Sequence, residues 1–389
     1  MHDVAIVGAG PVGLLLGILL RQRGLDVVIL EQRRRRSDHS RAIGIHPPAL
    51  AVLAEAGVAE KLIASGVQIR EGVARRSGRD IATLDFGCVP GPHPYVLAVP
   101  QVLTERILEQ QLHTLGGRVH YGRTAQRIDD GGGRVTLEVS RCGGTAGSAG
   151  SSTDPGREKV YAARLAVAAD GARSTVRGLL KVPVASRRYP DTYLMGDFAD
   201  NTSDGATAVL YLEPEGIVES FPLPGGLRRW VVRTRALDPE PEPGRLAGLI
   251  SGRTGGTVDV ATNSMLSSFA VRSRRVRRMV HGRVALIGDA AHEISPIGGQ
   301  GMNLGWLDAA ALAPIISAAL QGQDTGEQLR VFDRSRRAAA ATAGWQAHLN
   351  MALGRPLPPA VLDARNSLLL PALAIPGAAA VVARRFTMH

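Results

Sequence analysis

The sequence is poor in aromatic residues, lysine and cysteine, and each shortage excludes a class of function. Aromatic residues make up 4% of the 389 residues, too few for the base-stacking platforms of single-stranded nucleic-acid binders. The net charge is +11, but arginine supplies 43 of the 46 basic residues, a pattern typical of GC-rich coding. We therefore expect no nucleic-acid partner. The arginines at 33–36 and within 272–278 are either solvated or attract an anionic cofactor or electron donor.

The two cysteines, Cys88 and Cys142, form neither a metal-ligand spacing nor a disulfide framework. We expect no metal site and a reducing, cytoplasmic compartment. The residues from the third onward predict a strand, so we expect no signal peptide. The longest apolar stretch, residues 368–383, is interrupted by Pro371 and Pro376 and is too short to span a bilayer. We expect it to pack on the body of the protein, with no stable membrane insertion.

The first motif is a glycine-rich turn after a short apolar run. Residues 4–7 are typical of a buried parallel strand, and Gly8, Gly10 and Gly13 follow in the spacing G-x-G-x-x-G. The first glycine permits the tight turn, the second lets the backbone approach a pyrophosphate, and the third lets the next helix pack closely. A glycine-rich turn without a ligand is the alternative interpretation of such a motif.

The residues that follow complete a strand–helix–strand unit. Residues 12–23 predict a helix that ends in a cationic turn before Gly24, and residues 27–30 predict the second strand. Glu31 ends that strand, 18 residues after Gly13, where a carboxylate can accept a hydrogen bond from a ribose hydroxyl. The sequence therefore predicts an adenine dinucleotide without a 2′-phosphate at this position.

The middle of the chain predicts a mainly β insertion in this framework. Residues 163–169 predict a buried strand that leads into an Asp170-Gly171 turn and a short helix capped by Ser174. Short runs within 186–270, separated by turn signals, predict a meander of antiparallel strands. Residues 143–156 are rich in glycine and serine and predict a flexible solvent loop. The framework resumes with a strand at 283–287 and an amphipathic helix from Leu304 onward.

These segments resemble the single-component FAD-dependent aromatic hydroxylases, the para-hydroxybenzoate hydroxylase-like group of flavoprotein monooxygenases. Five motifs occur in the order of that family: VGAGPVG at 7–13, SRAIGIHPPAL at 40–50, VPQVLTERIL at 99–108, ADGARSTVR at 169–177 and GDAAHEISPIGGQGMNLG at 288–305. The resemblance implies an α/β fold with a Rossmann-like FAD/NAD(P)-binding domain, an inserted antiparallel β substrate domain and C-terminal helices. We assign residues 1–73, 98–182 and 275–389 to the FAD-binding domain, and residues 74–97 and 183–274 to the substrate domain.

The resemblance also implies the residues of the site. Asp289 is implied to bind the ribityl chain, as is Gln101, and Asp170 both the flavin and the nicotinamide donor. The expected cofactor contacts are Gly8, Gly10, Pro11, Val12, Gly13, Glu31, Gln32, Arg41, Ala42, Gln101, Asp170, Gly288, Asp289, Pro296, Gly299, Gly301, Met302 and Asn303. The expected catalytic residues are Arg41, Pro296 and Gly298. No catalytic base is favoured; the candidates are His46, Tyr193, Tyr211 and His292, of which His292 usually has a structural role.

The implied reaction has two halves. NADPH or NADH reduces the flavin during a transient visit, and O2 then adds to the reduced ring to give a C4a-hydroperoxide that hydroxylates an aromatic or polyketide-like molecule. We expect an aromatic or polycyclic small-molecule substrate and a monomer or homodimer. Two alternatives stay open: a flavin oxidoreductase of the same fold, a reductase or oxidase without oxygen insertion, and a flavin-binding protein without turnover.

Overall fold

The computed structural model describes residues 1–36, 42–141, 159–369 and 375–389. Within these ranges the strands are β1 (His2–Val7), β2 (Val27–Leu30), β3 (Gly44–Ile45), β4 (Val67–Ile69), β5 (Glu71–Arg76), β6 (Arg79–Asp85), β7 (Val96–Ala98), β8 (Val119–His120), β9 (Arg123–Asp130), β10 (Val135–Arg141), β11 (Lys159–Ala168), β12 (Val184–Ala199), β13 (Ala208–Tyr211), β14 (Val218–Leu223), β15 (Leu227–Thr234), β16 (Met265–Val276), β17 (Val280–His281), β18 (Val284–Leu286) and β19 (His292–Glu293).

The α-helices of the described residues lie between and after these strands. They are α1 (Pro11–Arg21), α2 (Pro47–Glu55), α3 (Ala59–Ala64), α4 (Gln101–Thr114), α5 (Thr175–Leu179), α6 (Pro243–Thr254), α7 (Gln300–Leu320), α8 (Gly326–Leu353), α9 (Pro359–Leu369) and α10 (Pro376–Phe386). A short 3-10 helix, Gly288–Ala290, follows β18.

The first sheet is the predicted dinucleotide-binding framework. Its order is β17-β18-β11-β1-β2-β8, and β1 pairs in parallel with both β2 and β11. The antiparallel hairpin of β9 and β10 extends from β11. Strands β1 and β2 are largely buried, and a parallel strand that is covered on both faces has a near-continuous hydrophobic sequence rather than an alternating one. Because β1, β2, β11 and β18 pair in parallel, their carboxyl ends meet at one edge of the sheet. The glycine motifs follow at this edge.

The second sheet is mainly antiparallel, as the turn-separated runs predict. Its order is β19-β16-β12-β15-β14-β13-β5-β6, and only the β13–β5 pair within it is parallel. One face packs on α6 through a cluster that includes Leu194, Val218 and Trp230. The opposite face contributes Tyr193, Met195 and Val231 to a cluster with Ile297 of the loop before α7. A third sheet of order β3-β7-β4 completes the fold.

Helix α7 is long and apolar enough to cross a membrane by length and composition alone, but half of its most apolar window is buried inside the protein. It packs against α1, α2 and α8, and its residues Trp306, Leu312 and Ile316 belong to the main core. Its burial explains why the helix is apolar on most of its circumference, and it begins at Gln300, four residues before the sequence pattern predicts.

The α/β fold class predicted from the sequence is confirmed. Within the apolar stretch 368–383, α9 ends at Leu369 and α10 begins at Pro376, and residues 370–374 lie outside the described residues. Helix α10 packs on the body of the protein, against β6. The loop predicted at 143–156 also lies outside the described residues. The expected domain boundaries at 73/74, 97/98 and 274/275 fall within β5, β7 and β16, and the division into two domains stays a prediction.

Candidate flavin site

The three glycines of the first motif have three different surroundings. Gly8 has a φ of 107°, and a Cβ atom there would collide with the backbone of Ala169 at the end of β11. A Cβ atom on Gly13 would collide with the Gly8 carbonyl oxygen. Gly10, in contrast, faces open space: a Cβ atom there would meet nothing within 4 Å. Gly8 and Gly13 therefore serve packing, while Gly10 leaves room for a ligand at the start of α1.

The start of α1 is also an uncapped helix end. Pro11 occupies its first position, and Gly10 provides no side-chain cap. Uncapped backbone N–H groups and the helix dipole favour an anion at such an end. Pro11 and Val12 also have structural contacts. The Pro11 carbonyl accepts a hydrogen bond from Trp306 Nε1 (3.1 Å), and Val12 packs against Gly288 and Gly305. The first motif is thereby fixed to the last.

Glu31 lies at the end of β2, as predicted, and is 4% exposed. Its Oε2 accepts from the backbone N–H of Ala9 (2.9 Å), and its Oε1 accepts from the backbone N–H (2.8 Å) and Nε (3.0 Å) of Arg33. Burial alone would raise its pKa, but these donors outweigh burial and lower the pKa below its usual value. The carboxylate is thus charged and adjoins the glycine loop, and a ribose hydroxyl would share it with Arg33.

Asp289 lies in the 3-10 helix after β18, half-buried beside the start of α7. A Cβ atom on Gly301 would stand 3.7 Å from Asp289 Oδ1, so the carboxylate and the α7 backbone face the same space. Burial raises the pKa of Asp289 to about 6, although His292 and Arg177 favour the charged form. A raised carboxyl pKa means that burial of the charged carboxylate destabilises the apoprotein. A ligand that donates a hydrogen bond to this carboxylate would offset that free-energy cost.

Asp308 holds the Asp289 turn in place, a role that the sequence analysis missed. Its Oδ2 accepts from the backbone N–H of Gly288 (3.0 Å) and from His292 Nε2 (2.6 Å), and its Oδ1 accepts from Arg336 Nε (2.7 Å). Burial opposes its ionisation, but His292 and Arg336 lower its pKa. Asp308 in turn raises the pKa of His292, against the effect of burial. His292 is therefore a structural ion-pair partner and not a free base.

The Asp170 turn lies next to Gly8 and is bonded to the Asp289 turn. Asp170 Oδ2 accepts from the N–H of Val176 (3.1 Å), while its Oδ1 is buried without a hydrogen-bond partner. Burial raises its pKa, despite a hydrogen bond with Ser174. Ser174 caps α5, as predicted, by accepting from Arg177 N. Arg177 Nη1 donates to the carbonyl of Ala290 (2.9 Å) and so links the two turns.

The loop before α7 is clamped from the side of β3. Gly298 and Gly299 have φ angles of 93° and 68°, which favour glycine. The Asn303 amide donates to the carbonyls of Gly299 (2.7 Å) and Gly44 (2.9 Å) and accepts from the N–H of His46 (2.8 Å). His46 Nε2 donates to the Gly298 carbonyl (3.1 Å). The Asn303 side chain is therefore occupied by the loop, and any cofactor contact it makes is through its backbone.

The remaining predicted contacts are placed as follows. Gln101 begins α4 and donates to Glu105 (2.8 Å). Gln32 is exposed after β2, Ala42 is half-buried before β3, Pro296 is exposed in the loop and Met302 packs on the main core. Arg41, expected to be both catalytic and cofactor-binding, lies outside the described residues.

Of the four candidate bases, only Tyr193 lies on the sheet face that is turned toward this loop. Tyr211 stacks on Trp230 at the α6 side of the sheet. Burial lowers the pKa of His46 to about 4, so this imidazole is neutral and positions Gly298. Tyr193 belongs to the same hydrophobic cluster as Ile297. Ile297 lies in the loop, between Pro296 and Gly298. The geometry therefore brings a glycine loop, a carboxylate turn and an apolar sheet face together.

The residues present fit FAD by three observations. Gly10 leaves open space at an uncapped helix end, the buried Asp170 Oδ1 has no hydrogen-bond partner, and Asp289 faces the backbone at the start of α7. Hydrogen bonds and close packing join the first motif (7–13), the fourth (169–177) and the fifth (288–305). A dinucleotide bound at one of these motifs would therefore lie close to the other two.

Comparison with known proteins agrees with this geometry. A family model described as "FAD binding domain" matches residues 1–346. The chain is 32% identical over 343 residues to 6-methylpretetramide 4-monooxygenase of Streptomyces rimosus, which covers 86% of this chain and 59% of that protein. It is 31% identical over 329 residues to the rifampicin monooxygenase of Streptomyces venezuelae, covering 83% of this chain and 65% of that protein.

A solved structure resembles the whole molecule. The p-nitrophenol 4-monooxygenase of Pseudomonas putida DLL-E4 superposes with a TM-score of 0.86 at 25% identity, covering 100% of this chain and 98% of that one. The chain spans less than two thirds of the length of the first two relatives, but nearly the full length of this structure. Because the family model covers most of the chain, the protein belongs to the FAD-binding family that contains the FAD-dependent aromatic hydroxylases.

Proposed function

We propose that the protein is an FAD-dependent monooxygenase that uses NADPH or NADH and O2 to hydroxylate an aromatic or polyketide-like small molecule. The observation that carries this proposal is the position of Ile297. This residue lies in the glycine loop expected to hold the flavin ring, and it packs in one cluster with Tyr193, Met195 and Val231 of the second sheet. A ring held by the loop would therefore face an apolar surface suited to an aromatic substrate.

Each part of the site has a role in holding the cofactor. The start of α1 with Gly10 would take the pyrophosphate, Glu31 the adenosine ribose, and Asp289 the ribityl hydroxyls. The uncapped start of α7 would favour negative charge on the ring. When bound, FAD would supply the hydride acceptance and oxygen transfer that protein side chains do not provide. The protein's own tasks are to bind, to orient and to exclude water.

Water exclusion is a property of the loop and of the sheet face. Hydrogen bonds from Asn303 and His46 hold the carbonyls of Gly299 and Gly298 and so restrain the loop that would lie beside the ring. Val231, Met195 and Ile297 are 5%, 3% and 5% exposed. An apolar surface of this kind favours oxygen transfer over loss of the oxidant to water.

Cations near the Asp170 turn suit an anionic electron donor. Arg274 donates to the Ala172 carbonyl (2.8 Å) and lies 3.5 Å from Glu293, while Arg173 is exposed in the same turn. Arg41, outside the described residues, remains a predicted catalytic and cofactor-binding residue. The choice between NADPH and NADH, the oxygen-transfer route, a cytoplasmic location and a monomeric or homodimeric state remain predictions.

The names of these similar proteins support the substrate class. Those proteins are named for 6-methylpretetramide, rifampicin and p-nitrophenol, all of which carry aromatic rings. The decisive experiment loads the protein with FAD and follows NADPH and NADH oxidation with a panel of phenols and aromatic polyketides under isotopically labelled O2. We expect one labelled oxygen atom in the product.

The same experiment separates the alternatives. Flavin reduction and substrate conversion without label in the product would indicate a reductase or oxidase of this fold. FAD that binds but is reduced by neither donor would indicate a flavin-binding protein without turnover. Failure to retain FAD would refute the assignment of the site.

A further inference from the structure

One buried carboxylate on the flavin-facing side of the second sheet has no role in the site described so far. Glu219 lies on β14 and is 6% exposed. Its side chain has no hydrogen-bond or ion-pair partner among the described residues, in contrast to Glu213, which binds Arg76 and the N–H of Ser77. A buried carboxylate without a donor is costly, so a ligand that brings a donor would relieve that cost.

The strand register places Glu219 in the middle of the proposed substrate surface. It pairs with Leu210 on one neighbouring strand and with Val231 on the other, and Val231 in turn pairs with Met195. Paired residues of adjacent strands share a face. Because Val231 and Met195 pack with Ile297 of the flavin loop, Glu219 faces the same side. Ser220, its neighbour, faces α6 and binds Arg228.

Partly buried aromatic side chains lie on the same face of the sheet as this carboxylate. Phe221 and Phe269, like Leu210, are only partly buried and belong to the same cluster. Phe269 stacks on Tyr193 at 5.5 Å between ring centroids, and the Tyr193 hydroxyl is buried without a hydrogen-bond partner. The surface thus offers apolar contact for a ring, one carboxylate acceptor and one free hydroxyl.

We propose that Glu219 is a catalytic residue that accepts the proton of a phenolic hydroxyl on the substrate, an inference that rests on the proposed monooxygenase function. In this step the phenolic O–H bond breaks, an O–H bond forms on the Glu219 carboxylate, and the electron pair stays on the phenolic oxygen. No electron is gained or lost. The resulting phenolate has a more electron-rich ring and is a better acceptor of the oxygen atom that the flavin reaction delivers.

The basicity of Glu219 suits this task. Burial raises the pKa of Glu219 to about 7, which narrows the gap to a phenol, whose pKa is about 10. The other titratable groups on this face are Tyr193, the Arg229–Asp197 pair at 2.7 Å, and Asp191 with Arg233 and Arg355. Leu210 of β13 and Ile297 of the loop bring no charge. The acids among these groups are paired, which leaves Glu219 as the free carboxylate of the described face.

The test compares 1-naphthol with its methyl ether, 1-methoxynaphthalene, which lacks the O–H group. Binding to the FAD-loaded protein is followed through the flavin absorbance spectrum from pH 6 to 8.5. Since a hydrogen bond to a charged group is worth a factor of about 10 to 150, we expect naphthol to bind at least about tenfold more tightly above pH 7. The preference should fade below pH 7, as Glu219 becomes protonated.

The variants separate this role from a structural one. Glu219→Gln should fold, because it removes only a buried charge, and should lose both the naphthol preference and its pH dependence. Glu213→Gln, the same change in a paired glutamate, should keep both. Equal affinities in the wild type, or an unchanged preference in Glu219→Gln, would overturn the proposal, and so would failure to bind either probe. FAD retention is measured first: its loss refutes the function itself, whereas FAD retention without a naphthol preference refutes Glu219 alone.

Discussion

Gly305 of α7 packs so closely on Gly288 that a Cβ atom on Gly305 would stand 3.1 Å from the Gly288 Cα and would collide with the Val12 side chain. The first and last motifs, nearly three hundred residues apart in sequence, therefore touch through a residue without a side chain. This contact places the start of α1 beside the Asp289 turn.

We expect Gly305→Ala to damage both folding and FAD binding. The added methyl group must displace Val12 or the Gly288 backbone, and overpacking of this kind costs about 1–3 kcal/mol. Urea unfolding of the apoprotein and a fluorescence titration with FAD measure the two effects. The control is Gly344→Ala on α8, where a Cβ atom would stand 3.8 Å from Ile294 Cγ2, an ordinary contact. Equal unfolding midpoints for the two variants would contradict the packing argument.

The glycines of the first motif allow a sharper separation of ligand contact from packing. A Cβ atom on Gly10 meets nothing within 4 Å, whereas one on Gly13 collides with the Gly8 carbonyl. We expect Gly10→Ala to leave apoprotein stability nearly unchanged and to weaken FAD binding, because the methyl group would enter the space proposed for the pyrophosphate. Gly13→Ala should lower stability by about 1–3 kcal/mol. If Gly10→Ala retained wild-type FAD affinity, the pyrophosphate would not lie there.

The glycine motif, the strands around it and the order of the family motifs could be predicted from the sequence because they are local signals. Residues 4–7 and 27–30 are apolar runs that form β1 and β2, and Ser174 stands where a helix cap is expected. A strand or a cap depends on neighbours within a few residues. The sequence therefore indicates such elements without any knowledge of the rest of the chain.

Residues that act across the sheet could not be predicted in the same way. Asp308 lies on a helix and binds Gly288 and His292, which precede it by 20 and 16 residues. Glu219 is one glutamate among several, and only the register of β13, β14 and β15 shows which side of the sheet it faces. A one-residue shift in register would turn it toward α6. Long-range pairing, which no local pattern encodes, decides these roles.

The charged form of Asp289 should lower the free energy of unfolding of the apoprotein, although the same carboxylate is proposed to bind the cofactor. An aspartate in the unfolded chain has a pKa near 3.9, whereas burial raises the pKa of Asp289 to about 6 in the folded protein. Between these values the folded state binds the extra proton, so this residue's contribution to apoprotein stability falls as the pH rises from about 4 to about 6. Asp289→Asn should therefore stabilise the apoprotein at pH 7, by on the order of 2 kcal/mol, and the gain should vanish near pH 4.

The same variant should bind FAD about tenfold less tightly, since it would lose the charged acceptor proposed for the ribityl hydroxyls. Thermal unfolding of the apoprotein at pH 4 and pH 7, with an FAD titration at pH 7, checks both halves. A variant that is less stable than wild type at pH 7, or that binds FAD equally well, would contradict the assigned position of this carboxylate.

Asp308→Asn is the matched control for Asp289→Asn, and it should lower the stability of the apoprotein where Asp289→Asn raises it. Here His292 and Arg336 lower the pKa of the carboxyl group despite burial, so its stabilisation is present above pH 4 and is lost only as the pH falls below that value. Removing the charge leaves the buried imidazolium and guanidinium groups without their partner, which costs about 3–5 kcal/mol. We expect a large loss of stability at pH 7 and weaker FAD retention. An unchanged urea midpoint would show that the ion-pair network is not needed.

His46 provides the last prediction, which concerns coupling of the reaction and not folding. Its Nε2 donates to the Gly298 carbonyl at 3.1 Å, and the ring also contacts Phe386 of α10 at 5.8 Å between centroids. Burial lowers the pKa of His46 to about 4, so the imidazole is neutral and the bond is intact at every pH above about 5. His46→Phe keeps an aromatic ring but removes the donor, at a cost of about 1 kcal/mol, a factor of about five in the loop's equilibrium.

A looser loop admits water beside the flavin ring, so a larger share of the NAD(P)H consumed should end as hydrogen peroxide in place of hydroxylated product. Peroxide yield per NAD(P)H oxidised measures this directly, and the increase should be the same at pH 6 and pH 8 because His46 does not titrate in that range. His46→Gln, which can place an amide donor where Nε2 lies, should recover much of the coupling. A peroxide yield that is equal in wild type and His46→Phe would show that the Gly298 carbonyl needs no partner to hold the loop.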